Sequence, residues 1–185
     1  MRLPLRRTRR NLFILLSLAG AASAQQRPWR QVLDDRLSLF GHRNWIVVAD
    51  SAYPLQSAPG IETIVSTDNQ VDTIRHVFAE LSRRNHIRPV VYVDKELKYV
   101  DEQAAPGVGA FRQLLNAILE KFSAGQTATP LLHEDIIKQL DQASKTFNVL
   151  IIKTNSLLPY TSVFLELRAG YWNDQSEEQL RRTMH

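Results

Sequence analysis

Gly41-His42-Arg43-Asn44-Trp45-Ile46-Val47-Val48-Ala49-Asp50 sets a turn, a strand and two titratable side chains within ten residues. From Trp45 to Ala49 the run is apolar without interruption and rich in β-branched residues, the pattern of a strand buried on both faces. Upstream, Trp29, Val32, Leu33, Leu37 and Phe40 recur at helical spacing, so Gly41 falls where a left-handed helix cap is expected. Asp50 stops the strand. Residues 51–60, with Pro54 and Pro59, read as a loop. Helix, buried strand and loop in this order are the beginning of an α/β fold.

The rest of the chain continues the alternation. Residues 61–65 read as a second strand, and Thr67-Asp68 as the cap of a helix over 71–84. A buried strand over 89–93 ends at Asp94, and residues 95–106 are polar and irregular. A helix covers 108–122, a linker 123–129, and Pro130 is expected to open a helix running to about residue 146. Strands follow over 148–153 and 161–168, then a polar tail over 173–185 with a short helix as one option. Strands separated by helices imply an α/β fold with three layers, a mostly parallel sheet carrying helices on both faces. Residues 25–172 form one such domain, and no internal repeat is visible.

Charge is unevenly placed. The full chain of 185 residues carries +4, but Arg2, Arg6, Arg7, Arg9 and Arg10 all precede an apolar run over 11–22. That run ends in Ala22-Ser23-Ala24, so residues 1–24 read as a secretory signal peptide, too short in its apolar part to span a bilayer. Thr8-Arg9-Arg10-Asn11-Leu12-Phe13 also resembles the twin-arginine signal, a route that exports folded proteins. The expected location is periplasmic or secreted. Cleavage after Ala24 would lower Lys+Arg from 23 to 18 against 19 Asp+Glu, a net of −1. The mature chain therefore lacks the basic footprint of a nucleic-acid-binding protein. With no cysteine there is neither disulfide nor thiol chemistry.

Ligands of α/β sheets gather at strand ends, which directs attention to Asp50, Asp94 and residues 153–155. Phosphate-cradling glycine loops, paired metal-ligand histidines and a Gly-x-Ser-x-Gly elbow are all missing from the sequence, and neither cofactor nor metal is expected. His42 stands just before a buried strand and Asp50 just after it. At about 3.3 Å per strand residue they do not touch within one strand; they flank a ligand or meet across a subunit boundary. Histidine moves protons near neutral pH, and a carboxylate orients it or holds a hydroxyl. His133-Glu134 read as exposed polar residues of a helix's first turn, and Asp94-Lys95-Glu96 as a solvated charge cluster.

The segment from Gly41 to Pro54, with its Gly-His pair, apolar strand and Asp-Ser-Ala-Tyr-Pro turn, resembles the N-terminal signature of the D-ribose pyranase and L-fucose mutarotase family. Pro159-Tyr160-Thr161-Ser162, the apolar strand after it and Gly170 are similar to that family's closing strand. The resemblance implies a cofactor-free protein that interconverts anomers or ring forms of a free monosaccharide. It also implies a homo-oligomeric ring with sites near subunit boundaries. On this reading His42 is the acid/base group, and Asp50 and Tyr160 bind the sugar. Ser162 stands where the family has Asn, and Asn155 is the nearest counterpart of its second histidine; both join the candidate sugar-binding residues. A non-catalytic ring protein of the same fold, binding carbohydrate or another small polar ligand, is the alternative.

Overall fold

The computed structural model describes residues 27–122 and 127–184. The signal peptide expected over 1–24 lies outside the described residues, as does the first part of the linker expected over 123–129. In chain order the elements are α1 (Trp29–Leu39), β1 (Trp45–Ala49), β2 (Ile61–Val65), α2 (Gln70–Ser82) and β3 (Ile87–Asp94). A 3₁₀ turn (Lys95–Tyr99) leads to α3 (Val108–Phe122), β4 (Thr129–Leu131), α4 (His133–Ala143), β5 (Val149–Lys153), β6 (Val163–Ala169) and α5 (Asp174–Thr183).

The strands form one sheet in the order β2-β5-β1-β6-β3-β4. Five strands point the same way, and β6 runs antiparallel to its neighbours β1 and β3. The uninterrupted apolar runs of β1 and β5 place these strands at the centre, where both faces are covered. Alternate residues go to opposite layers. Ile46, Val48, Leu150 and Ile152 pack beneath α1, α2 and α3 with Leu33, Leu37, Ile74, Val77 and Leu115. Trp45, Val47, Val149 and Ile151 face Ile136 and Leu140 of α4. The result is the expected three-layer, mostly parallel α/β fold.

Local signals differ from expectation in three places. Gly41 is not left-handed; the positive φ falls on Arg43, at 72°, so the chain leaves α1 through an extended Phe40 and turns two residues later. Asn69, not Thr67 or Asp68, caps α2, its side chain accepting the N–H of Asp72. Pro130 does not open a helix. It lies in β4, which pairs with the end of β3, and α4 begins only at His133. A proline is tolerated there because β4 is the edge strand and need not donate outward.

Topology decides what meets at each sheet edge. The carboxyl ends of β1, β3, β4 and β5 share one edge with the start of β6, whereas the starts of β1 and β3 share the other edge with the end of β6. Val163 of β6 lies opposite Val48 of β1 on one side and Val93 of β3 on the other. Asp50 and Asp94 are thereby carried to either side of Ser162. Beneath them, buried Gln70 at the start of α2 donates to the carbonyls of Thr161 (2.8 Å) and Val48 (3.3 Å), and its own carbonyl accepts the Thr154 hydroxyl. One side chain thus satisfies strand-end groups that would otherwise be buried without partners.

Candidate active site

At the carboxyl edge, Asp50 accepts two hydrogen bonds. The Ser162 hydroxyl donates to Oδ2 at 3.1 Å, and the Ala52 N–H donates to Oδ1 at 2.9 Å. The second bond closes an Asx turn, the reason an aspartate ends this strand and starts this loop. Ser162 and Thr161 are fully buried just before β6, with the Thr161 hydroxyl bound to Leu158 O at 2.8 Å. Between Leu158 and Thr161 the chain turns through Tyr160, which adopts φ 57°. Such a conformation is strained for a bulky residue and is retained where surrounding structure dictates it. Here it sets the Tyr160 ring edge-on to the His133 imidazole, with centroids 5.8 Å apart.

His133 is the first residue of α4. Its N–H donates to both oxygens of the Glu96 carboxylate, 3.2 Å each, placing a negative charge at the positive end of the helix. Its Nδ1 is 3.1 Å from Asp94 Oδ1. With Asp94 ionised, Nδ1–H donates and Nε2 is left as the basic nitrogen. The imidazole is partly exposed and Asp94 only 1% exposed, so a dry carboxylate steers a ring that can reach a ligand. Asp94 Oδ2 is buried without a hydrogen-bond partner among the described residues. Burial pushes the Asp94 carboxyl up from its ordinary range to about 6, against the pull of the His133 hydrogen bond. The charges of Glu96 and Asp50 add to the rise.

Tyr53 closes the cluster from below. It is buried, donates to Gln56 Oε1 at 3.0 Å, and its carbonyl takes the Lys153 ammonium at 2.6 Å. Burial, with the charge of Asp94 second, raises its phenol above the usual tyrosine range. A ring so enclosed is a wall of the site and not an open stacking surface.

Asp50, Tyr160 and Ser162, all expected from the sequence, are therefore brought together. Asn155 follows β5 at the same edge and is exposed, without a side-chain hydrogen bond among the described residues. His42 is elsewhere. It precedes β1 and lies exposed at the opposite edge, in a cleft of about 610 Å³ with Arg43, Glu166 and Trp172. The length of β1, about 16 Å for five residues, separates it from Asp50 within one chain. Sequence reasoning undervalued two residues: Asp94 is buried and paired with a half-buried His133, not part of a solvated cluster and an exposed helix turn. The available signal was Asp94 itself, an acid ending an apolar strand. The partner was hidden because Pro130 disguised β4 and so the point where α4 begins. Among the described residues no group of three His, Asp or Glu side chains is placed to hold a metal ion.

No family model matches the chain, and none of the curated proteins matches its sequence. Solved structures do match in fold. RbsD of Bacillus subtilis complexed with D-ribose superposes with a TM-score of 0.53 at 20% identity, covering 77% of this chain and 93% of that one. The fucose mutarotase of Streptococcus pneumoniae in complex with L-fucose gives 0.50 at 18% identity, over 78% and 98% of the two chains. FucU of Bifidobacterium longum gives 0.51 at 14% identity, over 75% and 92%. The chain has the fold of the family that its two end motifs resemble.

Proposed function

We propose that this protein is an exported monosaccharide mutarotase or pyranase, working as a homo-oligomer that exchanges anomers or ring forms of a free sugar by proton transfer. The observation that carries the reading is the convergence of Asp50, Asp94, His133, Tyr160 and Ser162 on one sheet edge, in a fold of which two solved examples hold D-ribose and L-fucose. Asp50, Ser162 and the Tyr160 hydroxyl offer acceptors and donors for sugar hydroxyls. The Asp94–His133 pair provides a base whose ring is oriented by a buried carboxylate, the arrangement that general-base chemistry needs.

Ring opening then proceeds by balanced proton movement. A base removes the proton of the anomeric hydroxyl, its O–H electrons form the C1 carbonyl, the bond from C1 to the ring oxygen breaks, and an acid protonates that oxygen. Reclosure on the other carbonyl face yields the other anomer. His133 is the base and His42 the acid in this reading. Since the two stand at opposite edges of one sheet, His42 must reach the sugar from a neighbouring subunit. That requirement ties activity to assembly.

NMR saturation transfer on ribose, fucose, galactose and glucose is the direct test. The protein should speed anomer exchange of at least one sugar above the buffer rate. His133→Ala and His42→Ala should each lower that rate about a hundredfold or more, the scale of general acid–base contributions. Saturable binding with no exchange would assign the non-catalytic binding role instead.

A further inference from the structure

The cleft that holds His42 differs in character from the Asp50–His133 cluster. Among the described residues, Arg43, Arg88, Arg168 and Arg181 line it together with Glu166 and Glu177. Both carboxylates are engaged, Glu166 by Arg168 at 3.0 Å and Glu177 by Arg181 at 2.7 Å. Arg43 has no carboxylate within 4 Å among the described residues; its guanidinium lies 5.7 Å from the Phe147 ring centroid. The position of Arg43 is nonetheless set, since its N–H donates to Leu167 O at 2.8 Å. It also holds φ 72°, a conformation that costs a non-glycine residue energy and that is retained where the surrounding structure fixes it. One wall is aromatic. Trp172 is 42% exposed with its indole N–H held by Glu177 at 2.8 Å, and Tyr171 beside it is 80% exposed. Aromatic faces suit the C–H face of a sugar ring.

We propose that the His42 cleft selects an anionic monosaccharide, one bearing a carboxylate or a phosphate, and that Arg43 reads the charge while Trp172 stacks on the ring. The inference rests on the proposed sugar exchange and names its substrate class. Guanidinium binds carboxylate and phosphate oxygens in a two-point fork, so a planar donor next to the acid histidine orients such a sugar and rewards its charge. Attraction of this kind weakens with salt, since the cleft is open to solvent.

Matched sugars separate the claims: D-galactose against D-galacturonate, and D-glucose against D-glucuronate and D-glucose 6-phosphate. Anomer exchange is followed by NMR and binding by calorimetry, at low and high salt. The uronate or the phosphate should exceed its neutral counterpart in kcat/KM by roughly tenfold or more at low salt, and that ratio should shrink as salt rises. Whichever anion gains identifies the source of the charge. Arg43→Gln should raise KM for the charged sugar about tenfold and bring the charged-to-neutral ratio close to one. Equal or better exchange of neutral sugars by the wild type overturns the inference and leaves the mutarotase reading standing. It is also overturned if R43Q lowers charged and neutral exchange in proportion, or changes the assembly size by light scattering, since either marks a structural role. Should no sugar exchange at all while an anionic sugar binds and R43Q weakens it, the charge selection holds and the catalytic reading falls. Without binding of any anionic sugar, the inference fails.

Discussion

At Asp94 two forces oppose one another. Burial favours the neutral acid and the His133 contact favours the carboxylate; burial wins, and the group titrates near 6 instead of 3.8. Its native form therefore holds a proton more tightly than its unfolded form does. The stability this contributes is complete below about pH 4 and is lost as pH rises through about 6, a change on the order of 2–3 kcal/mol. Asp94→Asn keeps the shape and a partner for His133 but cannot ionise. Urea denaturation midpoints measured at several pH values should fall for the wild type relative to D94N across that window. Parallel curves for the two proteins would show that the carboxyl is not held up. The proposed base His133 needs Asp94 ionised to orient it, so exchange activity should rise as pH passes about 6 even as stability declines.

Among the elements, β2 illustrates how a single residue sets a strand's distance. A Cβ on Gly60 would stand 2.2 Å from Ser144 O and 2.8 Å from Phe147 O, both backbone atoms just past α4. Gly60 also accepts the Val149 N–H at 2.8 Å, so the backbone cannot retreat without loosening β2 from β5. Gly60→Ala should lower the unfolding free energy by more than about 2 kcal/mol. Gly41→Ala should change it by less than about 0.5 kcal/mol, because none of the described residues lies within 4 Å of that Cβ and the position is not left-handed. Chemical denaturation of the two variants side by side checks both; a severe G41A would mean that the turn before β1 is more constrained than its geometry indicates. Elements with a strong hydropathy signal were legible in the sequence: β1 and β5 as unbroken apolar runs, α3 by its helical period. β4 was not: a three-residue strand has no period to read, and Pro130 is as common at a helix start as at an edge strand.

For the whole molecule, the proposed mechanism requires assembly, because His42 lies at the opposite sheet edge from Asp50 and His133. A site completed across a subunit boundary can be rebuilt from two defective chains. His42→Ala and His133→Ala, each inactive alone, should recover about a quarter of wild-type exchange when coexpressed in equal amounts, since one boundary in four then joins an intact His42 to an intact His133. Recovery should vanish under conditions that dissociate the assembly, as followed by light scattering. Two inactive variants that stay inactive together, in mixed oligomers shown by mass to contain both, would place the acid and base in a single chain.

From the sequence alone came the layered α/β class, the buried strand from Trp45 to Ala49, and the candidacy of Asp50, Tyr160 and Ser162. The first two depend on hydropathy pattern and turn chemistry and the candidacy on the resemblance of the two end motifs, all of which are written within a few neighbouring residues. Pairing of Asp94 with His133, 39 positions apart, depended on strand order, on the antiparallel course of β6 and on where α4 starts after β4. The distance of His42 from Asp50, by contrast, was already readable in the length of the strand between them. Side chains distant in the chain meet only through long-range packing of the sheet, and no local pattern carries that information.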